Sequence, residues 1–166
     1  MKLEPAEALA RKIMEQIAPY CKKVEIAGSI RRRRAEVNDI DIVCLPTDKA
    51  ALRARVLRTQ PRIVGDGQWN LEVELTGGVR LDVWMASPGE RTLFGTGGTN
   101  YGSLLLCRTG SVKHNIKLIE HAKQRGLVWD PYWGVKDTKG DVIACETEEQ
   151  IFDTLGLAFV PPAERE

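Results

Sequence analysis

The stretch GSIRRRRAEVNDIDIV, residues 28–43, decides how the rest of this chain is read. Ile40, Ile42 and Leu45 are apolar, and Asp39 and Asp41 sit between them at period two. That alternation predicts a half-buried strand with both carboxylates on one face. Upstream, Val24, Ile26 and Ala27 predict a strand that runs into Gly28. A strand that ends in Gly-Ser and turns into a short helix presents backbone N–H groups without intrahelical acceptors, which suits a phosphate. Two carboxylates on one strand face repel unless a cation lies between them. The pair therefore suggests a divalent ion, with Mg²⁺ the natural candidate beside phosphate. The alternative is a strand edge carrying solvated acids, which a bare D-x-D would allow. Gly28-Ser29 and the arginines of 31–34 in front of the acids favour the other reading, in which each part suits one piece of a nucleoside triphosphate.

The bulk numbers fit that reading without requiring it. The chain has 166 residues, 43% hydrophobic and 28% charged, which is ordinary for one globular domain or two small ones. Net charge is +1, so nucleic-acid binding would have to come from local patches such as Arg31 to Arg34, or Arg53, Arg55 and Arg58. Cys21, Cys44, Cys107 and Cys145 have no C-x-x-C spacing, so neither a zinc site nor a disulfide framework is expected. Cys44, inside the apolar strand, reads as a small buried hydrophobe. The N-terminus has no apolar signal core and no run is long enough to span a membrane, so a cytoplasmic protein without membrane partners is expected.

Along the chain, Ala6, Leu9, Ala10, Ile13 and Ile17 recur at helical spacing between Pro5 and Pro19. Thr47 or Asp48 can cap a helix through Arg58, with Leu52 and Val56 inward and its arginines outward and solvated. Residues 61–64 suggest a short strand. Leu71, Val73 and Leu75 alternate with Glu72 and Glu74, Gly77-Gly78 makes a hairpin turn, and Val79, Leu81, Val83 and Met85 continue as the partner strand. Arg80, Asp82 and Trp84 share that strand's other face. Asp is disfavoured in strands, so Asp82 is the third acid of interest, tolerated if it meets Asp39 and Asp41.

The segment 87–102 is rich in turn formers and reads as a boundary or mobile loop. It lacks a lysine at Walker spacing, so its glycines do not read as a phosphate loop. A short helix is expected over 103–107 and a second from Thr109-Gly110-Ser111 to Arg125, with Ile116, Ile119 and Ala122 inward. His114 and His121 have no third ligand, so no metal role is assigned to them. Short strands follow at 127–129, 133–136 and 141–144. Thr147 to Gln150 fits a capping box opening a last helix, with Ile151, Phe152 and Leu155 inward. The tail VPPAERE reads as polar and limited by its prolines.

Taken together, GSIRRRRAEVNDID, the LDVW around Asp82 and the TGS-x-x-HN run from Thr109 to Asn115 resemble the family X DNA polymerases. YGSLLLCRTGSVKHNIKLIEHAKQRGL and the terminal ETEEQIFDTLGLAFVPPAERE are similar to the bacterial and archaeal branch. The resemblance covers nearly the whole chain. It implies an α/β (α+β) architecture: a nucleotidyltransferase-fold palm over residues 1–90, with a mixed sheet flanked by helices, and a small α/β thumb over 91–166. It also implies a minimal form, with neither the lyase and duplex-binding domains usual in the family nor the phosphoesterase domain of bacterial relatives.

The function implied is DNA-directed DNA synthesis, a dNMP passing from a dNTP to a primer 3′-hydroxyl, as in short gap filling during DNA repair. By the resemblance, Asp39, Asp41 and Asp82 would hold two Mg²⁺ ions, or Mn²⁺ in their place, with Asp82 accepting the proton. Gly28, Ser29, Arg32 and the backbone of Asn38 would hold the triphosphate. Cys107, Arg108, Thr109, Gly110, Ser111 and Asn115 would meet the nucleotide sugar or base, with a cis peptide at Gly110-Ser111. Arg80, Lys113 and Lys117 would face primer or template; for the two lysines, simple solvation is the equal alternative. Family members often carry two aromatics where this chain has Cys107 and Arg108, so weak rejection of ribonucleotides is expected. Ile119 stands where some relatives contact the template through arginine, so low fidelity is expected. The partners implied are a dNTP and primer-template or gapped DNA, bound distributively by a monomer. The rival readings are a template-independent nucleotidyltransferase and a non-catalytic DNA-binding module.

Overall fold

In the computed structural model, residues 1–87 and 98–166 are described, and they form two compact units, Met1–Met85 and Ala86–Glu166. Most of the turn-rich segment, and the expected boundary at residue 90, lie outside the described residues. The expected class is what the chain adopts: an α+β fold around a five-stranded mixed sheet flanked by helices.

The first unit opens with α1 (Leu3–Ile17), which turns Ala6, Ala10 and Ile17 into the core. Then come β1 (Cys21–Ile26), the four-residue α2 (Gly28–Arg31) and β2 (Asp39–Pro46). α3 (Lys49–Val56) is capped by Asp48, whose carboxylate accepts from the Ala51 N–H at 2.9 Å. Leu52 and Val56 are buried as the spacing predicts. Arg53 is not merely solvated, because it forms an ion pair with Asp66. β3 (Arg62–Asp66), β4 (Asn70–Glu74) and β5 (Arg80–Met85) complete the sheet, in the order β1-β2-β5-β4-β3. β2 and β5 are parallel neighbours, and the other pairs are antiparallel.

Alternation along each strand sorts this sheet into two chemically different faces. Ile40, Ile42, Cys44, Leu71, Val73, Leu81, Val83 and Met85 are all essentially buried, in one cluster with residues of α1 and α3. Full burial of one such side chain contributes about 1.5–3 kcal/mol. This packing fixes the register, since a slip of one residue would exchange the apolar face for the acidic one. Cys44 lies in that core as expected, and a hydrogen bond with Cys21, followed by burial, raises its thiol pKa well out of the physiological range.

The second unit contains α4 (Tyr101–Thr109), α5 (Val112–Gln124), β6 (Val128–Asp130), β7 (Gly134–Lys136), β8 (Val142–Ala144) and α6 (Glu148–Leu155). Its strands form an antiparallel sheet in sequential order. α4 begins two residues before the expected start. Gly102 lies inside it, where a Cβ would run into the backbone of Thr147, so the missing side chain permits that close approach. The inward face of α5 also differs from expectation: His114, Leu118 and Ala122 are buried, whereas Ile116 is 49% exposed. Residues four apart share a helix face, and Ile116 lies about 200° around the axis from His114.

At α6 the Thr147 hydroxyl accepts from the Gln150 N–H, but the Gln150 side chain reaches back to the amide of Glu146 rather than Thr147. The polar tail is not a solvated end. Arg165 is wholly buried, its guanidinium 2.6 Å from the carboxylate of Glu148 and beside the rings of Phe152 and Phe159. Among the described residues, no helix is long and apolar enough to cross a membrane.

Candidate active site

The acidic face of the first sheet assembles residues that are far apart in the chain. Asp41 on β2 pairs in register with Asp82 on β5, and Asp82 pairs in turn with Glu72 on β4. Strands in one sheet lie about 4.8 Å apart, so the three acids form a row across it. Asp39 stands two residues along β2 on the same face, about 6.6 Å away along the strand, where its register partner is Arg80. All four acids are half-buried rather than fully solvated. The Trp84 indole, two residues after Asp82, donates to Asp41 Oδ1 at 3.3 Å. Glu72 and Trp84 are thus parts of this face to which the sequence reading gave no role, although period two from Asp82 already placed Trp84 there.

The turn at Gly28 closes on the same row. Gly28 has φ of +58°, which glycine adopts without penalty, and a Cβ there would overlap the carboxylate of Asp41. The N–H of Ala27 donates to the carbonyl of Asp41 at 2.8 Å, which ties the turn to β2. α2 follows directly, and the first-turn amides of a helix have no intrahelical acceptors. Ser29 adds a hydroxyl that is buried and makes no hydrogen bond among the described residues. A buried hydroxyl in that state lacks compensation until a ligand supplies it. Arg32 follows α2. Burial, then the like charge of Arg34, lowers its guanidinium pKa, while Asp41 and Asp39 act in the opposite sense. Arg31 reaches Glu25 at 3.6 Å and Arg33 reaches Glu7 at 2.8 Å, so both are engaged on the surface. Asn38 is exposed just before β2.

Carboxylate oxygens on adjacent strands are the hard donors that Mg²⁺ takes. Among the described residues, no three His, Cys, Asp or Glu side chains converge tightly enough to hold a metal ion unaided. Mg²⁺ is commonly held by one or two carboxylates, with substrate phosphates and waters completing its shell. The Asp41–Asp82 register pair, with Asp39 on the same strand face, has that partial character, and the donor set fits the ion.

In the second unit, the residues singled out lie at the junction of α4 and α5. Cys107, Arg108 and Thr109 end α4, and the peptide between Gly110 and Ser111 is cis. Ser111 caps α5, its hydroxyl accepting from the His114 N–H at 3.2 Å. The Asn115 amide donates to the Cys107 carbonyl at 2.9 Å, and its Oδ1 is buried without a hydrogen bond among the described residues. Burial raises the pKa of the Cys107 thiol. Arg108 donates from Nη2 to the Tyr132 hydroxyl at 2.9 Å, a partner outside the sequence reading. Lys113 and Lys117 are exposed on the outer face of α5. His114 is buried, and burial followed by the charges of Arg165 and Lys117 lowers its pKa to about 4, so it is neutral near pH 7.

Comparison with known proteins bears on both units. The family model described as DNA polymerase beta thumb matches residues 104–166. A curated relative, the DNA polymerase/3'-5' exonuclease PolX of Bacillus subtilis (strain 168), is 27% identical over 163 residues, covering 95% of this chain and 27% of that protein. This chain therefore spans about a quarter of the relative's length. Among solved structures, polymerase beta of Leishmania infantum in a ternary P/T complex superposes with a TM-score of 0.76 at 15% identity, over 100% of this chain and 76% of that one. That likeness concerns the fold.

Proposed function

We propose that the chain is part of a family X DNA polymerase and that it transfers a dNMP from a dNTP to a primer 3′-hydroxyl, a reading supported by the thumb match over residues 104–166 and by the 27% identical relative. In this reading the new bond joins the 3′-oxygen to the α-phosphorus, and pyrophosphate leaves. Asp39, Asp41 and Asp82 would hold two Mg²⁺ ions, or Mn²⁺ in their place. When bound, such ions favour ionisation of the hydroxyl and neutralise charge on the leaving group. Asp82 accepts the 3′-hydroxyl proton. Trp84 keeps Asp41 oriented through its indole N–H. The amides of Gly28 and Ser29, the Ser29 hydroxyl and Arg32 bind the triphosphate, Arg32 in bidentate fashion. Asn38 contributes its backbone there.

The nucleotide's sugar and base fall to residues 107–111 and Asn115, whose buried Oδ1 is an acceptor in need of a donor. Arg80, Lys113 and Lys117 meet DNA. The biological role is short gap filling in DNA repair, carried out distributively by a monomer. The observation that carries the reading is the Asp41–Asp82 register pair with the Gly28 turn packed against Asp41, next to the buried Ser29 hydroxyl that makes no hydrogen bond among the described residues. Primer extension on gapped and recessed DNA tests it. Template-directed incorporation should need Mg²⁺ and vanish in Asp82→Ala while the circular dichroism spectrum is kept. Extension that ignores the template would point to a terminal transferase, and no Mg²⁺-dependent transfer at all would reduce the chain to a binding module.

A further inference from the structure

The turn joining β6 to β7 carries two large aromatic rings that the catalytic reading does not use. Tyr132 is 45% and Trp133 55% exposed, whereas the nearby Trp129 is 5% exposed with its indole N–H bonded to Ser103. Each open ring has a cation beside it. Lys136 Nζ lies 4.9 Å from the Trp133 ring centroid, and Arg108 lies 5.9 Å from that of Tyr132 while bonding its hydroxyl.

Two hydrogen bonds tie down the backbone of Tyr132. The Asn100 amide donates to the Tyr132 carbonyl at 2.7 Å, and the Tyr132 N–H donates to Asp130 Oδ1 at 2.8 Å. Rings pre-set on a fixed backbone lose little freedom when something packs on them. The solvent face of the small sheet continues the surface: Val128, 55% exposed, is the register partner of Lys136. The Asp130 carboxylate lies in the same turn, and that of Asp137 holds the amides of the turn that follows β7. The local charge is therefore mixed, which does not suit a duplex backbone.

Exposed aromatic rings with flanking cations suit unpaired bases, whose faces stack on the rings while one or two phosphates meet the cations. We propose that Tyr132 and Trp133 form a stacking platform for unpaired nucleotides of single-stranded DNA, with Lys136 contacting an adjoining phosphate. The proposal rests on the reading of the chain as a DNA-acting protein, and it adds a surface within the second unit.

The test uses the full chain and a fluorescently labelled oligothymidine, with affinity read by anisotropy. Trp133→Ala should weaken binding by about tenfold or more, the scale of one stacked base. Trp133→Phe, which keeps a ring, should recover most of it, and Ile63→Ala, an exposed apolar site in the first unit, should change nothing. Lys136→Ala should lessen the slope of log affinity against log salt by about 0.7, one phosphate contact. An unchanged affinity in Trp133→Ala would overturn the proposal. So would self-association of the wild type that Trp133→Ala abolishes while DNA binding stays the same, since the patch would then be a protein interface. Primer extension on the same preparations separates the two readings. Loss of oligothymidine binding in Trp133→Ala from a wild type that extends no primer would sink the polymerase reading alone. Full extension with unaltered oligothymidine binding would sink the platform alone.

Discussion

Arg165→Ala should be among the most damaging single substitutions in the second unit, although the residue sits in a polar tail. Its side chain is completely buried and that of Glu148 is 4% exposed, with Nη1 and Oε1 2.6 Å apart. Nε donates to the Val160 carbonyl at 2.8 Å, and the guanidinium packs beside Phe152 and Phe159. Truncation removes the guanidinium that faces this buried carboxylate. Removing one partner of a buried pair costs about 3–5 kcal/mol, against about 0–1 kcal/mol for an exposed one. With a urea m-value of about 2 kcal/mol/M, the unfolding midpoint should fall by roughly 1.5–2.5 M.

Beside Arg165→Ala, a closed cycle compares the wild type with Arg165→Met, Glu148→Met and the double variant Glu148→Met/Arg165→Met. Replacing both charges with apolar side chains of similar length should restore most of the stability, because neither ion is left without compensation. Equilibrium urea denaturation followed by circular dichroism reads all of these proteins. A loss below about 1 kcal/mol for Arg165→Ala would mean the pair behaves as a surface contact. A double variant as unstable as the two singles added together would equally refute the argument, since the burden would then lie in packing rather than in the lone charge.

Three further outcomes are expected. Gly28→Ala should lower incorporation by about 100-fold with little loss of fold, because its Cβ displaces the Asp41 carboxylate and misplacement of a reacting group by about 1 Å has that effect; single-turnover rates near wild type would contradict it. His114 is held neutral by burial, its folded pKa about 4 against 6.5 for the free side chain. The unfolded chain therefore binds the extra proton first, so the stability this site contributes is complete above pH 6.5 and is lost as pH falls through 4; His114→Phe should flatten that part of a denaturation-against-pH curve, and an unchanged curve would exclude the histidine as its source. Because Cys107 and Arg108 leave no aromatic wall before Thr109, dNTP should be preferred over rNTP only weakly in single-turnover incorporation; a preference of about 1,000-fold or more, some 4 kcal/mol, would reject this.

Much of the acidic face is written in local pattern. Period two between Asp39 and Val43 is enough to put both acids on one side of a strand, because side chains alternate whatever lies beyond. The same rule places Asp82 with Trp84, and Gly28-Ser29 marks a turn that bulkier residues would resist. Local pattern says less about who stands next to whom. β5 reads as the hairpin partner of β4, and nothing in its letters announces that its other edge lies parallel to β2, so the Asp41–Asp82 pairing waits on a long-range crossover. α5 carries two overlapping apolar stripes, and the core's shape, not periodicity, turns His114 inward and Ile116 outward. Arg165 is the sharpest case. Composition assigns an arginine in a proline-limited tail to water, and it is buried because a carboxylate seventeen positions earlier meets it there. Alternation, turns and caps follow from covalent geometry over a few residues; desolvation of a charge depends on a partner that only the folded chain brings within reach.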